Sequence, residues 1–418
     1  MRADSKRQAF CLLFILLPAF LACRLFEPAP GEGALTPSPA PSPSPALTPL
    51  PETAAPLPPA GEIIAGYYAS WSVYARGYTV ENIPADRLTH VIYAFAVIDE
   101  RGECAPGDLQ ADPTNFDALR RLKAAHPHLR TLISIGGRGT AESFSRAAAS
   151  ADDRQRLAAS CVAFMQQHGF DGIDVDWEFP QPEQAGAYLA LLAELRARLD
   201  AARPGPGNGG ESEPYLLTIA YGASPYQYDD IDLSQAAALV DWINVMAYNY
   251  HGSWSGLTGF NAPLFPSSRD PAGNLERETF NLHAAVQAYL ERGVPGPEIV
   301  VGLAFFGNGW GGVPPENNGL YQSFDPAPDR TRSYDYREIA GDFLDPGSGY
   351  RRFWDEEARV PWLYSVEEGV MISYDDAQSL AEKAEYVQTQ GLGGVMLWHL
   401  AADDPSAALL EAVFQALR

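Results

Sequence analysis

From residue 61 onward, short apolar, β-rich runs alternate with longer stretches of helical character. Eight such runs occur: Ile63–Tyr68, His90–Ile98, Thr131–Gly137, Gly169–Phe179, Tyr215–Tyr221, Trp242–Asn249, Ile299–Gly307 and Gly394–Leu400. Between them, helices are expected at Phe116–Ala125, Asp153–His168, Gln184–Ala202, Phe280–Arg292 and Asp376–Gln390. Strand then helix, repeated eight times, predicts an α/β fold, a (β/α)8 TIM barrel whose active site lies at the C-terminal ends of the strands. The interval between the seventh and eighth runs exceeds what one helix requires. Residues 308–370 hold Trp310, Tyr321, Tyr334, Tyr336, Trp354 and Trp362. Such aromatic density predicts a small α+β insertion with its own core, forming one wall of a cleft, rather than a surface excursion.

One run breaks the apolar pattern. Residues 170–180 read FDGIDVDWEFP, with a carboxylate at every second position from 174 to 178. Strand side chains alternate faces, so Asp174, Asp176 and Glu178 share one face and Ile173, Val175 and Trp177 the other. The apolar set suits packing against outer helices, which turns the acids into the barrel with Glu178 nearest its mouth. Acids spaced ~6.6 Å apart along one strand cannot all stay ionised in a confined site, so a proton is shared and one pKa rises. A carboxylic acid kept protonated in this way serves as a proton donor. Two other readings compete. A solvated strand face conflicts with a place in the middle of a barrel. A hard-cation site would suit oxygen ligands, but no acids or histidines at neighbouring strand ends complete a shell. No metal and no cofactor is expected.

Composition changes the picture mainly at the N-terminus. The 418 residues, 46% of them hydrophobic, are enough for a large core, and a net charge of −24 argues against a nucleic-acid partner. Arg2, Lys6 and Arg7 precede an apolar run, Phe10 to Leu21, that is short for a membrane span and broken by Pro18. Residues 1–23 therefore read as an export signal. The run ends in Phe-Leu-Ala-Cys23, similar to a bacterial lipoprotein cleavage box, although Leu21 stands where that box prefers a smaller residue. Lipidation of Cys23, ordinary cleavage and an uncleaved anchor are the three outcomes. The protein is thus expected to be exported, either secreted or held by lipid at the outside of the bacterial cell membrane. Residues 24–60 are a Pro/Ser/Ala-rich linker, an extended tether of up to ~100 Å. Residues 61–418 make the catalytic barrel, expected to act as a monomer. Cys104 and Cys161 are its only cysteines. A disulfide is conceivable in an exported protein, but nothing in the spacing argues for one, and a buried free thiol serves as well for Cys161.

The run Asp171-Gly-Ile-Asp174-Val-Asp176-Trp-Glu178 resembles the DxxDxDxE signature of the family 18 glycoside hydrolases, the chitinases and their relatives. Ser134-Ile-Gly136-Gly137 is similar to that family's SxGG, and Met246-Ala-Tyr248-Asn249 to its MxYD apart from the last residue. The loop from His251 to Leu264 and the regions Ile372–Asp376 and Gly391–Trp398 also resemble the family, so the likeness covers roughly residues 62–418. It implies retaining hydrolysis without an enzymic nucleophile, acting on chitin or chito-oligosaccharides. Glu178 would protonate the glycosidic oxygen while the substrate's 2-acetamido oxygen attacks the anomeric carbon. Asp176 would hold the acetamido N–H, Asp174 would share a proton with Asp176, and Tyr248 would position the acetamido group. Asp171 has the wrong parity for the inward row and reads as structural.

By motif position, Tyr67, Phe95, Gly137, Met246, Asn249 and Trp398 would surround the reacting sugar, with Trp398 as its floor. Trp71 and Trp254 would serve neighbouring subsites, since aromatic faces suit pyranose rings. The alternatives are an endo-β-N-acetylglucosaminidase or peptidoglycan-directed glycosidase on the same fold, and a non-catalytic chitin-binding lectin. Glu178 disfavours the last. Two departures stand out. Asn249 replaces the usual Asp of MxYD, which removes a charge and predicts an altered pH profile. Gly302-Leu-Ala-Phe-Phe306-Gly-Asn308 differs from the commoner Tyr-Gly-Arg ending, which puts a substrate contact there in doubt.

Overall fold

The computed structural model describes residues 63–202, 213–327 and 329–418. The export signal, Cys23 and the linker fall outside the described residues. Eight parallel strands close a barrel: β1 (Ile63–Ala69), β2 (His90–Ile98), β3 (Arg130–Gly136), β4 (Gly172–Asp176), β5 (Leu216–Gly222), β6 (Trp242–Met246), β7 (Ile299–Ala304) and β8 (Gly394–Trp398). Each pairs with its successor, and β1 pairs with both β2 and β8, which completes the ring. The TIM barrel expected from the pattern is therefore the observed fold.

Helices Asp112–Ala125, Ala151–His168, Ala185–Ala201, Leu282–Glu291 and Ala377–Thr389 fall where the periodicity put them, within a few residues. Their ends follow from local chemistry. Ser150 caps the Ala151–His168 helix by accepting from the Asp153 N–H, and Gly169, at φ 76°, terminates it in the left-handed region. The apolar shell divides in two. Ile173, Val175 and Trp177 belong to the layer between strands and helices, with Trp177 stacked on Phe144. Ile63, Ala65, Tyr67, Ile92, Leu132, Trp242 and Met396 fill the barrel interior.

Between β7 and β8 lies a separate five-stranded antiparallel sheet. Its spatial order is Thr331–Asp335, Phe306–Gly311, Val370–Ser373, Val360–Ser365, Arg351–Asp355, and short helical turns span Tyr336–Phe343. Trp310, Tyr321 and Trp362 build a core with Phe260, Val360 and Met371. Tyr334 and Tyr336 instead pack against the main core. Cys104 and Cys161 form a disulfide with a Cα–Cα distance of 5.0 Å, which spacing alone left open. It joins the strand Cys104–Pro106, antiparallel to β2, to the Ala151–His168 helix. The two cysteines lie 57 residues apart, and only the wrapping of that helix beside the hairpin brings them together.

Candidate active site

β4 stops at Asp176, so Glu178 lies just beyond the strand rather than within it as the alternation predicted. The alternation of faces nevertheless persists through the turn: Trp177 is fully buried outward while Asp176 and Glu178 line a cleft. That cleft encloses about 1140 Å³. Likewise β6 ends at Met246, and Tyr248 and Asn249 occupy the loop that follows.

At the base of the site, Asp174 is completely buried and fully hydrogen-bonded. One oxygen accepts from the Tyr67 hydroxyl (2.7 Å) and the Ser134 hydroxyl (2.7 Å). The other accepts from the Thr218 hydroxyl (2.6 Å) and the Asn244 amide (3.2 Å). Burial raises the Asp174 pKa, and the four donors offset that rise only in part.

Asp176, two residues on, has the opposite environment. Its side chain accepts no hydrogen bond from any described residue, and its Oδ1 is buried without a partner. Burial and the neighbouring Glu178 and Asp174 charges push its pKa well above the ordinary carboxylate range. Four donors stabilise charge on Asp174 and none does so on Asp176, so burial disfavours the carboxylate form more at Asp176 than at Asp174. Glu178 is raised by burial, and the Arg138 guanidinium works against that rise. Tyr248 is raised far above a free phenol by burial and by the charges of Asp176 and Glu178, so its hydroxyl remains a donor.

Two glycines let these groups approach. Gly136 holds φ 121°, and a Cβ there would lie 2.1 Å from the Asp176 carbonyl oxygen. At Gly137, φ is 88° and a Cβ would meet the Phe95 ring at 2.7 Å, while its N–H donates to the same Asp176 carbonyl (2.9 Å). Beside Glu178, Trp71, Phe95 and Trp398 form a continuous aromatic face, with ring centroids 6.0 to 6.4 Å apart.

Of the residues singled out from sequence, Asp176, Glu178, Tyr248, Trp71, Phe95, Gly137, Met246, Asn249, Trp254 and Trp398 line this one cleft. Two do not. Asp174 lies beneath it, and Tyr67, expected against the sugar, is buried under Trp398 with its hydroxyl on Asp174. Tyr67 is therefore a support for the acid row, because its strand position is one layer deeper than the cavity floor. Asp171 sits outside the row and accepts from Lys123 and the Thr131 N–H, as its parity implied.

Sequence reading passed over Thr218 and Asn244, although each is a lone polar residue in an apolar strand, which was signal enough. It also passed over Arg138, the only lysine or arginine lining the cleft among the described residues, and the wall residues Tyr226, Asp270 and Glu276. No cluster of three or more His, Cys, Asp or Glu able to hold a metal ion occurs among the described residues.

A sequence-family profile described as "Glycosyl hydrolases family 18" matches residues 63–403. Chitinase A1 from Niallia circulans is 34% identical over 399 residues, covering 81% of this chain and 56% of that protein. Chitinase B from Serratia marcescens is 33% identical, covering 80% of this chain and 78% of that one. Among solved structures, chitinase ChiA74 from Bacillus thuringiensis superimposes with a TM-score of 0.79 at 33% identity, over 85% of this chain and 70% of that chain. The chain thus spans little more than half the length of the first of these relatives.

Proposed function

The chain belongs to the family 18 glycoside hydrolases, and from that premise we propose that it is a chitinase, cleaving β-1,4-linked N-acetylglucosamine polymers and oligomers. Glu178 donates its proton to the glycosidic oxygen as the C1–O bond breaks, and the substrate's acetamido oxygen forms the new bond to C1. The product is an oxazolinium ion, with configuration retained after water opens it and returns a proton to Glu178. Asp176 accepts the acetamido N–H and stabilises the developing positive charge. Asp174 takes a share of the Asp176 proton, and the Tyr248 hydroxyl steers the acetamido group. Trp398, Phe95 and Trp71 stack on successive rings, with Trp254 serving the far side of the cleft.

The observation that carries this reading is the buried, unpartnered Oδ1 of Asp176 beside a raised Glu178. Leaving a buried carboxyl unpaired costs about 1–3 kcal/mol, a cost that binding a substrate N–H would offset. The acetamido requirement follows from the chemistry, because a glycan without it supplies no attacking atom. The test is product analysis on soluble chito-oligosaccharides, N-glycans and peptidoglycan, with Glu178→Gln as control. Turnover of chito-oligosaccharides alone, with retained anomeric configuration by NMR, supports the proposal. Cleavage of N-glycans or peptidoglycan in preference points to another substrate, and tight binding without turnover points to a lectin. The charged, then apolar N-terminus supports export. Membrane fractionation of the wild type against Cys23→Ala decides whether lipid at Cys23 tethers the enzyme.

A further inference from the structure

Asn249 and Asn308, two of the positions that depart from the family pattern, are 59 residues apart and in contact. The polarity of that contact is dictated by main-chain groups. The Asn249 N–H donates to Asn261 Oδ1 (3.1 Å), and Asn261 Nδ2 donates to the Phe306 carbonyl (3.3 Å), so both ends of the Asn261 amide are assigned. The Asn261 N–H is tied in turn to the Ser373 hydroxyl (2.8 Å). Asn308 then has one possible orientation. Its Nδ2 faces Asn261 Oδ1 (3.0 Å) and the His251 carbonyl (2.9 Å), which only accept, and its Oδ1 takes the Ser333 hydroxyl (2.6 Å).

The same Nδ2, whose two hydrogens are shared among three acceptors, also reaches Asn249 Oδ1 at 3.1 Å. A flipped Asn249 would set one N–H2 group against another. With its oxygen engaged inward, Asn249 has an Nδ2 that donates to no described residue, and the residue lines the cleft beside Tyr248 and Met246. Asn249 adopts φ 61°, a left-handed conformation that asparagine tolerates well, so its backbone is compatible with this locked pose.

We infer that Asn308, on the inserted sheet, is a positioning residue that turns the Asn249 carboxamide so that an N–H donor faces the sugar. The cleft wall next to Tyr248 therefore reads an acceptor oxygen on the substrate, a hydroxyl or an acetyl carbonyl. The inserted sheet thereby sets the hydrogen-bonding sense of the site, a role beyond that of a wall. This rests on the proposal that an N-acetylated glycan occupies the cleft.

The test is a double-mutant cycle on soluble N-acetylated chito-oligosaccharides with Asn308→Ala, Asn249→Ala and the pair. Each single variant is expected to lower kcat/KM about three- to tenfold, mainly through KM, the worth of one hydrogen bond. The double variant should lose no more than Asn249→Ala alone, because Asn308 then has nothing to orient. Losses that multiply would mean a merely structural Asn308 and would overturn the inference. Should Asn308→Ala fail to fold, Asn249→Asp answers the same question, since it replaces the outward donor with an oxygen: a raised KM supports the inference and an unchanged one sinks it. A wild-type protein that binds these oligosaccharides without cleaving them defeats the hydrolytic proposal, and the same cycle is then read from Kd by calorimetry. No binding at all defeats both.

Discussion

Asp174 and Asp176 point the same way from one strand, two residues apart, into regions built on opposite terms. Around Asp174 both oxygens meet donors: Tyr67 from β1, Ser134 from β3, Thr218 from β5 and Asn244 from β6. To the Asp176 carboxyl the described residues supply none, and the cleft opens instead. The lower region is complete without a ligand. The upper one is finished only by a bound molecule, which is what a preorganised site requires when its remaining partner is the substrate. A carboxylate that looks repeated along the strand is thus a foundation in one place and a working group in the next.

The comparison breaks or sharpens with substitutions that treat the two regions separately. Largest is Glu178→Gln, expected to lower kcat by about 10²–10⁴-fold, the contribution of a general acid, with unfolding by denaturant unchanged. Next, Asp176→Asn should cost about 10²-fold in kcat without loss of stability, since its side chain gives up no hydrogen bond to a described residue. Its effect on stability carries a sign with pH. The folded pKa of Asp176 lies well above its unfolded value of about 3.9. The wild-type group therefore contributes its stability below that value and loses it as pH rises through the folded pKa. Denaturant midpoints compared across pH should move in favour of Asp176→Asn as the solution becomes more alkaline; the reverse trend would contradict a raised Asp176 pKa.

In the lower region the pattern inverts. Tyr67→Phe removes one donor from a buried carboxylate and should cost about 1.5–3 kcal/mol of unfolding free energy, together with a smaller fall in kcat. If it left stability untouched, Tyr67 would not be a support. Arg138→Gln is subtler. Without the guanidinium that opposes its rise, the Glu178 pKa climbs, so the alkaline limb of kcat/KM should shift to higher pH, whereas Arg138→Lys keeps it in place. Smallest is Trp254→Ala at the 59%-exposed cleft rim, expected to raise KM a few-fold and leave kcat alone.

Much of this was legible before any coordinates. The carboxylate at every second residue of 174–178 could face only one way in a barrel, and Trp177 on the apolar face with Ile173 and Val175 said which way. Ten of the residues marked from motifs line one cleft because strand ends of a parallel barrel converge there. Tyr67 went astray because motif position gives the strand but not the depth. A residue one layer lower meets Asp174 where one higher would meet the sugar.

Periodicity was enough for the barrel and for the inward row of acids, because faces of strands and helices are local properties with periods of two and 3.6, while the length and aromatic density of 308–370 pointed to the α+β insertion. What the inserted sheet would do to the site lay beyond it. The pairing of Cys104 with Cys161, the four donors on Asp174 and the amide relay from Phe306 through Asn261 and Asn308 to Asn249 all join segments distant in sequence. Their geometry exists only once the ring has closed and the sheet has docked on its rim. Which acid keeps its proton was decided there too, since a pKa answers to the donors and charges that folding gathers around a group rather than to its neighbours along the chain.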